Sequence, residues 1–390
     1  MVGQTYQLVS QVQGFSVKTI KPTKRRTHAL NTSLLYNIGV IMTEFNPNPS
    51  KPLDLLLACP VYKKSPLLCL KSIASIDIFI KDESDRMGLG SFKALGGVYA
   101  VATLLAEKWF EATGDKLNPE QMMSDQFKAF SSSTTFICAS AGNHGLAVAS
   151  GAKIFGAKAK IHLSEKVPNE FEQRLQQKSA IVIRSGKAYE DSVTAAMEDA
   201  ASGNGMLLAD GSWSGYTYPP SLVMEGYTVI AHELYEQFMQ AKKWPSHVFV
   251  QAGVGGLAAA MAYMIRKYWP QQPEIIVVES ELAPCLQVSH QHQKLITVAG
   301  DDSIMGRLDC KAPSLIAFHA LQKAQVRYVT VSDKESIAAT NILQEKSVGT
   351  TPSGAAGLAG LLKILETEKM KKLRSGNDFH PLIIVTENKL

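Results

Sequence analysis

The sequence predicts an α/β fold of two open twisted sheets with helices on both faces. Short β-branched and aliphatic stretches alternate with longer amphipathic ones along most of the chain, the sign of parallel strands covered by helices. Several of the apolar stretches run into turns rich in glycine and small residues, and open α/β sheets bind ligands at the carboxyl ends of their strands. At 390 residues the chain exceeds one small domain, since a domain takes about 150 residues.

In chain order, Ile76 to Lys81 reads as a strand and Phe92 towards Trp109 as a helix. Thr135 to Ala139 is then a strand, with a helix from Gly145 towards Phe155. Further strands are Lys158 to Leu163, Ala180 to Ile183, Met206 to Ala209, His247 to Gln251 and Ile275 to Glu279. About the first 45 residues lack such periodicity and lead into Asn46-Pro47-Asn48-Pro49-Ser50-Lys51-Pro52, a run of turn formers, so residues 1–50 read as an N-terminal arm or edge ribbon. Thr113 to Ser133 is polar and reads as a surface insertion rather than a core element, and Gln287 to Asp302 as another loop. His290 and His292 stand two apart in that loop without a Cys or carboxylate cluster, so no metal site is expected.

Composition excludes several function classes. The 40 Lys and Arg against 35 Asp and Glu leave +5, without long basic runs, too weak a surplus for a nucleic-acid partner. No apolar run approaches the roughly 20 residues of a membrane span. The N-terminal stretch has no apolar core of an export signal, and the five cysteines form no CxxC pair. A reducing, cytoplasmic location is expected, with no membrane partner.

Four segments carry candidate chemistry. In Gly88-Leu89-Gly90-Ser91-Phe92-Lys93-Ala94, a lysine starts a small-residue helix, where partial desolvation would lower its pKa and suit Schiff-base chemistry. Ser140-Ala141-Gly142-Asn143-His144-Gly145 leads from strand to helix and exposes backbone N–H groups to an anion; His144 is a general-base candidate or a structural histidine. Gly253-Val254-Gly255-Gly256-Leu257 allows close backbone approach to a phosphate at a helix N-terminus. It lacks the GxGxxG spacing of a dinucleotide site. Thr350-Thr351-Pro352-Ser353-Gly354 is a hydroxyl-rich turn into a further helix, and it too is expected at the end of a strand.

In this order, the lysine after SF, SAGNHG, GVGGL and TPSGAAG resemble the tryptophan-synthase-like (fold type II) pyridoxal-phosphate enzymes, from about Pro66 onward. The strings KDESDRMGLGSFKALGGVYA, LLADGSWSGYTYPPSLVMEGY and DDSIMGRLDCKAPSLIAF resemble the diaminopropionate ammonia-lyases within that group. The resemblance implies pyridoxal 5'-phosphate held covalently by Lys93, with Phe92 beside it. Asn143 would meet its 3-hydroxyl, Gly253, Val254, Gly255, Gly256 and Leu257 its phosphate, and Ser353 its ring nitrogen. A neutral hydroxyl at that nitrogen favours elimination over transamination. Ser140, Ala141, Gly142 and His144 would hold the substrate carboxylate, and Asp210 would stand near a distal amine.

The implied reaction is α,β-elimination on a small amino acid, 2,3-diaminopropionate going to pyruvate and ammonia. The alternatives are a serine, threonine or hydroxyaspartate dehydratase and a catalytically silent paralogue. The implied architecture is a large cofactor-binding domain of residues 51–92 and 207–390 and a small mobile domain of residues 93–206, in a homodimer. Two departures stand out. Family members that process both enantiomers resemble TDGNHG at the second segment, so their aspartate is Ala141 here, which implies weak or absent action on D-isomers. The stretch Ile384 to Leu390 also differs from the family's TEG-containing segment.

Overall fold

The computed structural model describes residues 44–73, 76–140, 142–187, 189–366 and 379–389. Ala141 and nearly all of the expected N-terminal arm therefore lie outside the described residues. The part of the arm that is described is anchored. Phe45 is buried edge-on against Tyr263 at 5.3 Å, and Asn48 N–H donates to Glu225 Oε1 at 2.5 Å.

The proline-rich run at 46–52 opens a helix, α1 (Ser50–Leu57), instead of only breaking one. Pro52 sits in its first turn, where a helix has no use for the missing N–H. Two sheets follow. The larger joins β1 (Leu67–Ile73), β2 (Ile76–Asp82), β7 (His247–Gln251), β8 (Glu274–Ser280), β9 (Arg327–Val331) and β10 (Pro381–Val385) in the order β1-β2-β10-β7-β8-β9. Only β1 runs antiparallel to its neighbour. β10, PLIIV, is buried along its whole length, as a central strand covered on both faces must be. The smaller sheet takes β3 (Thr135–Ala139), β4 (Lys158–Leu163), β5 (Ile181–Arg184) and β6 (Met206–Leu207) in the all-parallel order β5-β4-β3-β6.

Helices cover both sheets. The long helix α2 (Lys93–Thr113) ends at Gly114 in the left-handed region, φ 79°. The sequence places the next segment outside the core, and the structure corrects this. Residues 121–123 form a single 3₁₀ turn and α3 (Asp125–Ser131) follows, burying Met122 and Phe127, the latter against the Trp109 ring. Two apolar residues in a polar run are enough to dock a short helix whose other side is solvated.

Next come α4 (Asn143–Ile154), α5 (Asn169–Gln177), α6 (Tyr189–Ala201), α7 (Tyr218–Ala241) and α8 (Gly256–Tyr268). Helix α2 packs against both α4 and α7. A second correction falls at α9 (Cys285–His292), which takes in the start of the expected 287–302 loop, through His292, and carries His290 and His292 in its last turn. The chain closes with α10 (Leu315–Ala324), α11 (Asp333–Glu345) and α12 (Pro352–Leu365). Among the described residues no helix is long and apolar enough to cross a membrane.

Candidate active site

Three of the four chemical segments leave the ends of strands: β2 leads to Lys93, β3 to Asn143 and β7 to the glycine turn. The fourth does not. Thr350 to Gly354 joins α11 to α12, and Gln251 at the end of β7 ties it in by donating from Nε2 to Gly354 O and Ile384 O, both at 3.0 Å. Thr351 caps α12 by accepting from Gly354 N, which sets buried Ser353 in the first turn.

The segment before Lys93 is held from below and from the side. Below it, the fully buried Lys81, Glu83 and Glu233 and nearly buried Arg86 form one ion network, with Arg86 donating to both carboxylates and Lys81 to Glu233. Beside it, Phe92 N–H donates to Thr386 O at 3.1 Å and Asn388 N–H to Gly90 O at 3.0 Å. Lys93 is then the first residue of α2, and its Nζ donates to Asp210 Oδ2. The ammonium also lies 5.3 Å from the Phe92 ring centroid and 5.7 Å from that of Tyr227.

The electrostatics correct the sequence reading of Lys93. Burial alone would lower its pKa, but the Asp210 carboxylate outweighs that and holds it above the usual lysine range. Burial likewise pushes Asp210 up, and the Lys93 charge overcomes it, leaving the carboxyl well below its ordinary range. Cys310, whose thiol faces the same pair, is pushed up to about 12 by burial and then by the Asp210 charge, so it stays a thiol.

In the loop after β3, Ser140 Oγ accepts from Gly142 N at 3.2 Å and Gly145 N at 2.9 Å, so its hydroxyl shapes the loop itself. His144 is buried, its pKa lowered by that burial, and Nε2 meets Leu208 O at 2.9 Å. The carbonyl accepts, so Nε2 carries the hydrogen and the buried, unpartnered Nδ1 is a lone pair. Asn143 starts α4, and its Nδ2 donates to Glu387 Oε2.

The glycine turn sits at the N-terminus of α8. Gly255 has φ 101°, and a Cβ there would stand 2.9 Å from Leu286 Cδ1, so glycine is required. Val254 O accepts from Ser314 N at 2.9 Å, and Ser314 Oγ meets Ser212 Oγ at 2.7 Å, which ties the turn to the loop carrying Asp210. Leu257 is buried in the first turn of α8.

The structure thus places together Phe92, Lys93 and Asp210, and separately Asn143 and Glu387, with Ser353 Oγ accepting from Arg307 N at 3.2 Å. Sequence reasoning missed Tyr227, Glu387 and Arg307. Tyr227 and Arg307 lie inside strings that carry the family resemblance and Glu387 in the divergent stretch 384–390, but no local pattern singles them out, and each arrives by a long-range fold contact.

Comparisons with known proteins bear on the family and the fold. Residues 59–378 match the family described as "Pyridoxal-phosphate dependent enzyme". Diaminopropionate ammonia-lyase of Escherichia coli (strain K12) is 31% identical over 342 residues, 84% of each chain. Its crystal structure with an aminoacrylate-PLP azomethine reaction intermediate superposes with a TM-score of 0.78 at 28% identity, covering 90% of this chain and 91% of that one. A second structure of the same Escherichia coli enzyme, in complex with D-serine, gives 0.78 and 28%, with 89% and 92% covered. The chain is a fold type II pyridoxal-phosphate-dependent enzyme and belongs to the diaminopropionate ammonia-lyase family.

Proposed function

We propose that this chain eliminates ammonia from L-2,3-diaminopropionate to give pyruvate and a second ammonia, using pyridoxal 5'-phosphate. The observation that carries the reading is the Lys93–Asp210 pair, a lysine and a carboxylate that the fold brings together from positions 117 apart.

The residues fit the cofactor. Gly255 turns the chain in the left-handed region, packed against Leu286 and Ala317, and leaves the first amides of α8, which have no intrahelical acceptor, suited to a phosphate. Lys93 offers the one amine at the pair, Asn143 and Ser353 offer an amide and a hydroxyl, and Phe92 and Tyr227 offer apolar faces. When bound, the cofactor draws the electron pair left at the substrate's Cα into its ring.

The chain's own groups do the rest. Lys93 Nζ, once free, takes the Cα proton on its own face of the site. Asp210 binds the substrate's distal ammonium and keeps it protonated, so that it departs as ammonia. The Ser140 to His144 loop would hold the carboxylate through the amides of Asn143 and His144, since those of Gly142 and Gly145 donate to Ser140 Oγ, with the buried, neutral His144 side chain propping the loop. Ala141 stands where the family pattern TDGNHG has its aspartate and cannot act as a base on the opposite face, so action on D-isomers would be lost or sharply reduced. We further propose that the protein works as a cytoplasmic homodimer; its five free cysteines support a reducing compartment. A large domain of residues 51–92 and 207–390 and a small mobile domain of residues 93–206 would close on the substrate.

The test is the visible spectrum of the purified protein before and after L-2,3-diaminopropionate, with pyruvate assayed in parallel. A cofactor band that shifts and returns as pyruvate accumulates supports the reading. A band that responds only to hydroxy-amino acids would make the enzyme a dehydratase instead.

A further inference from the structure

Two arginines that the mechanism does not use converge beside loop 142–145. Arg307, in the turn of residues 306–308, lies flat against Gly142: a Cβ there would stand 2.9 Å from its Nε and 3.0 Å from its Cδ. Only glycine lets the guanidinium approach the loop so closely. Arg174 arrives from α5 and reaches towards Gly90, whose Cβ would lie 3.7 Å from its Nη2. Both guanidinium carbons stand 5.3 Å from the centroid of one ring, that of Phe171.

The charges there do not balance. Glu387 is the carboxylate within reach, 3.7 Å from Arg307 Nε, and it already accepts from Asn143 Nδ2 and Thr351 Oγ1. Arg307 Nε and Arg174 Nη1 are buried N–H groups with no hydrogen-bond acceptor among the described residues. Two fixed cations thus share one committed anion. Burial and then the Arg307 charge hold the Arg174 guanidinium below its ordinary value, as expected of like charges lacking a counter-ion. A further anion would complement the pair, and Gly142, against which Arg307 lies, leads into the start of α4, which also favours one.

We propose that Arg307, backed by Arg174, pairs with the substrate carboxylate alongside the amides of the Ser140 to His144 loop and is a specificity-determining residue of this site. With Asp210 it gives the site one guanidinium and one carboxylate, the complement of an amino acid's anion and its distal cation. The inference rests on the proposed function for the substrate's identity, an amino acid, and not for the reaction.

The test uses cofactor-loaded protein and propionate, a carboxylate that has no amine and cannot react, with propionamide as the neutral control. Isothermal titration should show propionate binding and propionamide not binding. Arg307→Gln should weaken propionate by about tenfold or more, and Arg307→Lys, which keeps the charge without the planar fork, should fall between. In turnover, Arg307→Gln should raise KM by a similar factor with kcat nearly unchanged, since ground state and transition state keep the same carboxylate. Equal affinity in wild type and Arg307→Gln, or no propionate binding at all, overturns the proposal. Inorganic phosphate that binds without displacing propionate would mark a free-anion site on the arginines, and overturns it as well. Failure to make pyruvate from diaminopropionate would defeat the elimination reading alone, because propionate binding needs no turnover.

Discussion

Lys93 and Asp210, 117 positions apart, form an ion pair in which the two side chains are 21% and 22% exposed. At that exposure the pair is neither a solvated surface contact nor a sealed core bridge, and a ligand can displace one partner from the other. In the proposed reaction each is needed separately, Lys93 for the Cα proton and Asp210 for the distal ammonium. Asp210→Asn should therefore lower kcat/KM for L-2,3-diaminopropionate by about 10²-fold or more, a typical loss for a general acid or base. L-serine has no distal cation, so any turnover of it should fall less. Steady-state kinetics on the two substrates check this, and an equal loss on both would mean that Asp210 acts only through Lys93.

Lys93→Ala should remove covalent attachment of the cofactor together with turnover. Borohydride reduction followed by peptide mass analysis should place the cofactor on the peptide containing Lys93 in the wild type and nowhere in the variant. Retained turnover would move the base elsewhere. Cys310 is no substitute, since its thiol stays protonated at neutral pH.

Much of this was legible in the sequence, for physical reasons. β7, HVFVQ, and β3, TFICA, are apolar runs bounded by glycine or small residues, so period and punctuation mark them at once. The three turns after strands were legible for the same reason. The Thr350 turn was misplaced because a capping threonine before proline looks the same after a strand or after a helix. Met122 and Phe127 were lost in a polar run, where burial depends on what the segment meets in space. The direction of the Lys93 shift was missed because local neighbours report only desolvation, and its partner lies 117 residues away.

The network beneath the Lys93 segment makes a stability prediction. Burial pushes the Glu233 carboxyl up, yet hydrogen bonds and charge from Arg86 and Lys81 outweigh it and hold Glu233 well below its ordinary 4.5. A depressed carboxyl contributes stability that is present above its unfolded pKa and is lost as pH falls towards the folded one. Glu233→Gln leaves two buried cations with Glu83 alone, and should cost about 3–5 kcal/mol at neutral pH. Urea unfolding should show the gap between wild type and variant wide at pH 7 and closing steadily below about pH 4.5. A gap constant across that range would mean that Glu233 acts by shape and not by charge.

The last prediction concerns stereochemistry. Removing the Cα proton from an L-isomer and from a D-isomer requires bases on opposite faces of the same bound substrate. Lys93 serves one face, and an alanine at position 141 can serve neither. The wild type should turn over D-2,3-diaminopropionate at least about 10²-fold less efficiently than the L-isomer, the usual contribution of a positioned base. Ala141→Asp should raise D-isomer turnover by a similar factor while changing the L-isomer rate little, since Lys93 and Asp210 are untouched. Pyruvate release from each enantiomer measures both. A variant still inert towards the D-isomer would show that a carboxylate at this position does not reach the opposite face, and the L-selectivity would then need another cause.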